Sequence, residues 1–406
     1  MTAPWLTVVG IGEDGLDGLG TRARKAIDAA DVLAGGRRHL DLVPNAKAAK
    51  ISWGKDFTAS VAELAKHKGK RVVVLASGDP MNFGAGAAVA RTFPPGEIEI
   101  VPAPGAFSLA AARMAWSLPD TETFTVHGRP VEVLNRHLAP GLRLLILSEN
   151  AGTPARIAAL LTAAGFGPSR VTVLERLGGT EERRIDGTAE TWPHVPGADL
   201  NTVAVQCVAG PKAKIWPRVP GLPEEAFEHD GQITKREVRA ATLARLMPLP
   251  GQMLWDIGAG SGAVAIEWLR AEPSAKAVAV ERAAERLARI ERNARNLGVP
   301  ELAVVAGKAP DVLAALPSNP DAIFVGGGVG TPGMLDACWN TLSVGGRLVA
   351  NAVTLEGQAA LSAFQAKHGG DLARLSVARA KTVGATRTAM KPLMDVLQLA
   401  TTKEKT

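Results

Sequence analysis

Leu254-Trp255-Asp256-Ile257-Gly258-Ala259-Gly260-Ser261-Gly262, with Met253 ahead of it, reads as a buried strand breaking into a turn stripped of Cβ atoms. The residues that follow, 263–270, have helical character. A strand, glycine loop and helix in this order bring backbone N–H groups and the positive end of a helix dipole close to a ligand. Gly258, Gly260 and Ala263 also satisfy the dinucleotide pattern G-x-G-x-x-A, and Glu281 lies about where a ribose-binding acid is expected. Asp256 separates the two ligands this leaves. A carboxylate two residues ahead of the first glycine would face a pyrophosphate, but it suits the ammonium of a methionine moiety, so S-adenosylmethionine is favoured over NAD. A merely tight βα turn would need neither the three glycines nor the two placed acids.

At 406 residues the chain exceeds the size at which one core usually keeps growing, so two or three domains are expected. No apolar run approaches the ~20 residues that cross a bilayer, and the opening MTAPWLTVVG has no charged leader region. A soluble, cytoplasmic protein without a membrane partner is expected. Cys207 and Cys338 stand alone in apolar surroundings without metal-ligand spacing, so neither a disulfide nor a metal site is expected. Residues 1–210 carry 22 basic and 21 acidic side chains and residues 211–406 carry 24 and 19, so the net charge of +6 lies mostly in the second half. Such a surplus fits an acidic small substrate or RNA equally well.

Outward from the glycine turn, the first half repeats the theme. Residues 6–12 form a strand running into Gly10 and Gly12, followed by helix-like RARKAIDAADVL. Residues 71–76 empty into Ser77-Gly78-Asp79-Pro80-Met81-Asn82-Phe83-Gly84, and residues 98–102 run into Pro104-Gly105-Ala106-Phe107-Ser108. Open α/β sheets bind ligands at the C-terminal ends of their strands, so three such turns suggest one shared site. Between them, Gly35-Gly36-Arg37-Arg38 reads either as a helix stop with solvated arginines or as a loop offering cations to a carboxylate ligand.

This constellation resembles the tetrapyrrole methylase family, over roughly residues 1–210. The resemblance implies two α/β subdomains, about 1–118 and 119–210, with a cleft between them. It implies a cofactor site made by Gly10, Gly12, Ser77, Gly78, Asp79, Pro80, Gly84 and Pro104. Glu13-Asp14-Gly15 replaces the family's usual proline-glycine; with ADVLAGGRRHL, this looks like the branch acting on precorrin-6Y. Arg37, Arg38, His127 and Arg129 are then candidates for substrate carboxylates.

Pro211, Pro217, Pro220 and Pro223, without apolar period, mark a linker over about 211–228. Beyond it Thr234, with Glu237 three residues on, has the capping-box pattern of a helix start. Together with the glycine turn, the segment from His229 to about Met394 resembles the precorrin-8w decarboxylase/methyltransferase family. That resemblance implies a Rossmann-like class I methyltransferase domain over 229–400. It gives cofactor roles to Thr234, Asp256, Gly258, Gly260, Ser261, Gly262 and Glu281, with Ala309 near the adenine and Gly326 and Gly327 beside the reacting methyl. Asn351 and Lys391, and more loosely Arg239 and Arg387, are candidates for the substrate's carboxylates. Relatives suggest a homo-oligomer, a tetramer through this half. The tail, 401–406, is polar and expected to fray.

Two unrelated S-adenosylmethionine folds in one chain imply two methyl transfers to one substrate. The resemblance implies methylation of C-5 and C-15 of precorrin-6Y, in cobalamin biosynthesis, with loss of the ring C acetate as carbon dioxide. Asp230 and Glu356 are the candidate proton relays for that loss. The alternatives are an RNA methyltransferase, against which the absence of tyrosine and of a stacking platform argues, and a non-catalytic binding protein.

Overall fold

The computed structural model describes residues 4–193, 197–317, 319–383 and 386–405. The chain divides into two compact units, Met1–Val131 with Ala139–Lys214, and Glu132–Leu138 with Ile215–Thr406.

The first unit holds two five-stranded sheets. The first contains β1 (Leu6–Ile11), β2 (Val32–Gly35), β3 (Ala49–Ser52), β4 (Val72–Ser77) and β5 (Ile98–Val101), in the order β3-β2-β4-β1-β5, all parallel. Its central strands β1, β2 and β4 are largely apolar without alternation because both faces are covered. Leu6, Val8, Val72 and Val74 enter one core, while Val9, Ile11, Val73 and Leu75 enter the core on the opposite face. The second contains β6 (Glu122–Thr125), β7 (Arg143–Leu147), β8 (Arg170–Glu175), β9 (Arg183–Thr188) and β10 (Asn201–Gln206), in the order β6-β7-β10-β8-β9. Only the β6–β7 pair is parallel there.

The second unit is built on one seven-stranded sheet of β11 (Met253–Ile257), β12 (Lys276–Glu281), β13 (Ala303–Ala306), β14 (Ala322–Val325), β15 (Arg347–Ala352), β16 (Asp371–Leu375) and, after a separate hairpin of β17 (Ala378–Val383) and β18 (Arg387–Pro392), β19 (Val396–Thr402). The order is β13-β12-β11-β14-β15-β19-β16, with β19 antiparallel to both neighbours. Strand order reverses at β11, between β12 and β14. The glycine turn at 258–262 therefore opens at the topological switch point, where such sheets bind ligands.

Four local expectations are corrected. The first helix stops at Asp28, and Val32–Gly35 is a strand. The Gly35-Gly36 pair starts a helix, Arg37–Asp41, instead of stopping one. The proline-rich stretch from Ile215 on is folded into the second unit: Leu222 and Phe227 are buried in its core. The tail does not fray at 401–403, because Thr401 and Thr402 belong to β19 and the Lys403 ammonium donates to the carbonyls of Trp339 and Leu342.

Among the described residues no helix is long and apolar enough to cross a membrane. Both cysteines are buried, and burial pushes each thiol up to about 12.

Candidate active site

In the first unit the three strand-end turns are laced together through their backbones. Gly78 N donates to Ile11 O at 3.0 Å, and Ala103 N donates to Gly78 O at 3.3 Å. A Cβ on Gly10 would sit 1.9 Å from Gly78 O, one on Gly78 would sit 2.7 Å from Gly105 Cα, and one on Gly84 would sit 2.7 Å from Pro80 O. Gly78 also has φ +50°. These glycines let main chain lie on main chain where the strand ends meet. Asp79 turns back to accept from Met81 N at 2.9 Å, shaping the loop that carries Pro80. The Pro104 carbonyl packs against Gly78.

Arg38 does not stand free in this edge. It is ion-paired with Glu13 and donates to Ser77 Oγ at 2.8 Å. The acidic departure at Glu13 thus has a purpose, since it fixes the arginine on the β4 strand end. His39, passed over in the sequence, completes the cluster with Nε2 2.8 Å from Ser77 Oγ. Burial and the neighbouring Arg38 push His39 down to about 4, so the ring is neutral at physiological pH. Arg37 and His127 are exposed. Arg129 lies with its guanidinium 5.9 Å from the Phe83 ring centroid, which brings the His127-Gly128-Arg129 turn to the Ser77–Gly84 loop.

In the second unit the turn is more open. Gly258 N donates to Val280 O and Gly326 N to Ile257 O, both at 3.0 Å. A Cβ on Gly258 would sit 2.9 Å from Gly327 Cα, and one on Gly262 2.9 Å from Ile290. Gly260, at φ +60°, meets nothing closer than Gln232 O at 3.7 Å. Glu281 is the hub of the turn: Oε2 accepts from Gly260 N at 3.0 Å, and Oε1 accepts from Arg282 N and Ala283 N. Gly307 N donates to Glu281 O, which carries Ala309 to the same edge. Ser261 is buried, and its carbonyl accepts from Asn293 Nδ2 at 2.9 Å.

Asp256 is fully buried. Its Oδ2 accepts from Ala265 N at 3.0 Å in the first turn of the helix Ala263–Ala271, while Oδ1 has no partner among the described residues. Burial, joined by the nearby Glu281 carboxylate, pushes its pKa up to about 7. A buried acceptor left unmatched, an open glycine at the loop's centre and a carboxylate hub on the next strand end fit a small ligand with a cationic amine and a diol. S-adenosylmethionine is such a ligand.

Several expected roles change. Thr234 does not cap the next helix: the cap is Lys235, without a side-chain bond, and Glu237 is drawn away by Arg379 at 2.6 Å. Arg239 cannot reach substrate. It is fully buried, paired with Glu267 at 2.7 Å, bonded to the carbonyls of Thr234 and Leu222 and stacked 4.9 Å over Phe227. Asp230 is clasped by Arg286 at 2.9 Å and Arg289 at 3.1 Å. The Gln232 backbone N–H and these guanidiniums hold its carboxyl well below the usual range, the wrong protonation state for a proton donor. Asn351 has both ends of its amide engaged, donating to Thr242 Oγ1 and accepting from Gln398 Nε2. It orders the sheet's neighbour helix and is not a free substrate contact. Glu356 remains exposed in the first turn of the helix Leu355–His368, its backbone packed against Gly330 of the loop after β14.

A doubly covered sheet with this glycine edge, joined to a unit with three laced strand ends, fits the class of methyltransferases that use S-adenosylmethionine. Comparison with known proteins makes the assignment particular. Residues 6–193 match the family model described as Tetrapyrrole (Corrin/Porphyrin) Methylases, and residues 225–403 match that of the Precorrin methyltransferase domain. The chain is 47% identical over 404 residues to a precorrin-6Y C(5,15)-methyltransferase (decarboxylating) of Sinorhizobium sp, a match covering 99% of this chain and 97% of that protein. It is 41% identical to the protein of the same name from Mycobacterium tuberculosis, over 98% of this chain and all of that one. A cobalt-precorrin-7 C(5)-methyltransferase of Salmonella typhimurium is 33% identical over 178 residues, covering 44% of this chain and 88% of that protein. The chain belongs to the family of decarboxylating precorrin-6Y C(5,15)-methyltransferases.

Proposed function

We propose that each unit holds its own S-adenosylmethionine, and that the chain methylates precorrin-6Y at C-5 and C-15 and releases the ring C acetate as carbon dioxide. The first unit serves C-5, and the second serves C-15 and the decarboxylation. The observation that carries this reading is the presence of two separate glycine-lined strand edges on two separately cored units. A shorter relative named for a C(5)-methyltransferase supports a separable first activity. Family membership replaces the RNA-methyltransferase and pure-binding readings.

When bound, the sulfonium supplies an electrophilic methyl group; the meso carbons of a reduced tetrapyrrole are enamine-like nucleophiles. Alignment then does most of the work, since proximity alone removes roughly 7–11 kcal/mol of barrier. In the second unit Glu281 would accept from the ribose hydroxyls and Asp256 would answer the ammonium through the helix turn it anchors, while Gly326 and Gly327 let the β14 strand end lie against Phe324 and Gly258 at the same edge. In the first unit the strand-end backbone cradles the cofactor, while Arg37, His127 and Arg129 face the substrate's carboxylates. Arg38 and His39 act through Ser77, holding that strand end. Decarboxylation needs a protonated ring to receive the electron pair left by carbon dioxide. With Asp230 locked as an anion, Glu356 is the group that relays this proton.

Calorimetric titration tests the stoichiometry, with two S-adenosylmethionine sites per chain expected; a single site would remove the case for two methylases. Mass spectrometry of the product from precorrin-6Y tests the chemistry, which adds two methyl groups and removes one carboxyl.

A further inference from the structure

The hairpin β17–β18 has no place in the glycine edges, yet it is placed to serve them. Every residue of β18 is exposed, as is every residue of β17 but Arg379. The register pairs Arg379 with Lys391, Lys381 with Ala389 and Val383 with Arg387. Alternation along a strand puts these pairs on one face and Ala378–Pro392, Ala380–Met390 and Thr382–Thr388 on the other. One face therefore collects Arg379, Lys381, Arg387 and Lys391. The other carries no charge.

That arrangement is unfavourable by itself. A two-stranded ribbon is marginally stable in water, and like charges directly opposite one another destabilise it further. Arg379 is compensated at the root by Glu224 at 2.8 Å and Glu237 at 2.6 Å. Lys381, Arg387 and Lys391 have no ion pair among the described residues. Lys381 lies diagonal to both Arg387 and Lys391, with Cβ atoms about 7–8 Å apart, within reach of several carboxylates on one small molecule.

Topology places the ribbon at the site. β19 runs antiparallel to β15 with Ala352 opposite Leu397, and β16 ends with Leu375 opposite Val396. The hairpin thus leaves and rejoins the sheet at the edge where β11, β14 and β15 end, the edge that carries Gly258, Gly260 and Gly326. Its cationic face is turned toward the helix Arg236–Leu246, because Arg379 on that face grips Glu237 in that helix's first turn.

We infer that the basic face of this hairpin is a substrate arm of the second unit, with Lys381, Arg387 and Lys391 binding peripheral carboxylates of the tetrapyrrole. The inference rests on the tetrapyrrole reading of this unit and adds the residues that hold the substrate.

The test uses the full chain and the variant Lys381→Gln/Arg387→Gln/Lys391→Gln, whose exposed sites leave the fold intact. The probe is uroporphyrin III, followed by fluorescence quenching at low and high salt, with S-adenosylmethionine titrated in parallel. Tenfold or greater loss of probe affinity at low salt is expected, shrinking at high salt, with S-adenosylmethionine affinity unchanged. With precorrin-6Y, the KM for methylation at C-15 should rise while C-5 methylation persists, and Lys391→Arg should behave as the parent. Unchanged probe affinity and KM in the triple variant, with the parent turning over precorrin-6Y, would overturn the arm alone. Failure of the parent to turn over precorrin-6Y would overturn the underlying reading instead. Tighter binding of a single-stranded RNA oligonucleotide than of the probe, lost in the variant, would also overturn the arm and assign the face to nucleic acid.

Discussion

The two units solve one problem, close approach of a ligand to backbone, with glycines that do different jobs. In the first unit Gly10, Gly78 and Gly84 are needed by the protein's own main chain: added Cβ atoms would meet Gly78 O, Gly105 Cα and Pro80 O. In the second unit Gly258 and Gly262 are of that kind, but a Cβ on Gly260 would make only ordinary contact, with Gln232 O at 3.7 Å. A G-x-G motif in sequence therefore does not say whether a given glycine is there for the ligand or for the loop that approaches it.

Alanine at one glycine of each kind gives the largest contrast. Gly78→Ala places a Cβ inside contact distance of backbone that cannot step aside, at φ +50°. C-5 methylation should disappear, and the first unit's thermal transition should fall or vanish. Gly260→Ala carries only left-handed strain, roughly 1–2 kcal/mol. The second unit should stay folded and lose S-adenosylmethionine affinity. Equal loss of stability in both variants would erase the distinction.

A second contrast concerns what locks the second cradle from behind. Every residue from Ala263 to Arg270 is buried, including Glu267 and Arg270. Glu267 accepts from Gly221 N, Leu222 N and Arg239, and Arg270 donates to the carbonyls of Trp216 and Pro217. Arg239→Met strands a buried carboxylate, an effect of roughly 3–5 kcal/mol. Calorimetry should show the second unit's transition lowered and the first unit's unmoved. A fragment starting at Ile215 should fold, and one starting at Glu224, without these partners, should be markedly less stable; equal melting temperatures would show the stretch to be a simple tether.

These features mark how far the sequence could be read. The doubly covered strands were legible because residues 72–76 are apolar without alternation, and the glycine turn was legible because its punctuation is local. Val32–Gly35 was not: a short apolar run following a helix has no period of its own to separate strand from helix. The apparent cap at Thr234 failed because Glu237 has a stronger partner in Arg379, far away in sequence. Arg239 stands in the sequence as a candidate for the substrate's carboxylates for the same reason, its partner Glu267 lying on another helix. One signal was available. A helix with no polar face except Glu267 and Arg270 must bury both, and buried charges need partners.

Glu281 offers a smaller and more selective test. Its carboxylate already accepts three backbone N–H bonds, so Glu281→Ala would unpick the turn as well as the ribose contact. Glu281→Gln keeps the size and removes the charge: its amide oxygen can still accept from Arg282 N and Ala283 N, and only the bond from Gly260 N is given up. Weakening of a charge-assisted bond by about 1.5 kcal/mol corresponds to roughly tenfold in affinity. Titration should show this at one site per chain, the other being untouched. Loss at both sites would mean the cradles are not independent.

The last contrast is electrostatic and is read per pH unit. Asp256, fully buried in the second unit's turn, has its pKa pushed from 3.8 up to about 7 by burial and by Glu281. A raised carboxyl pKa means that the folded state keeps a proton that the unfolded chain gives up. Between about pH 4 and pH 7 the unfolded state binds fewer protons than the folded one, so stability falls as pH rises. The slope approaches about 1.4 kcal/mol per pH unit and flattens above pH 7, where both states are ionised. Asp256→Asn keeps the acceptor of Ala265 N and removes the titration. Thermal denaturation of the second unit from pH 5 to pH 8 should therefore show a declining midpoint in the parent and a flatter one in the variant. S-adenosylmethionine should reverse the sign of this dependence at the second site: an ammonium near the turn favours the ionised Asp256, so affinity should rise with pH through about 7 and lose that rise in Asp256→Asn. An affinity independent of pH in both proteins would leave Asp256 as a helix anchor that does not sense the cofactor's charge.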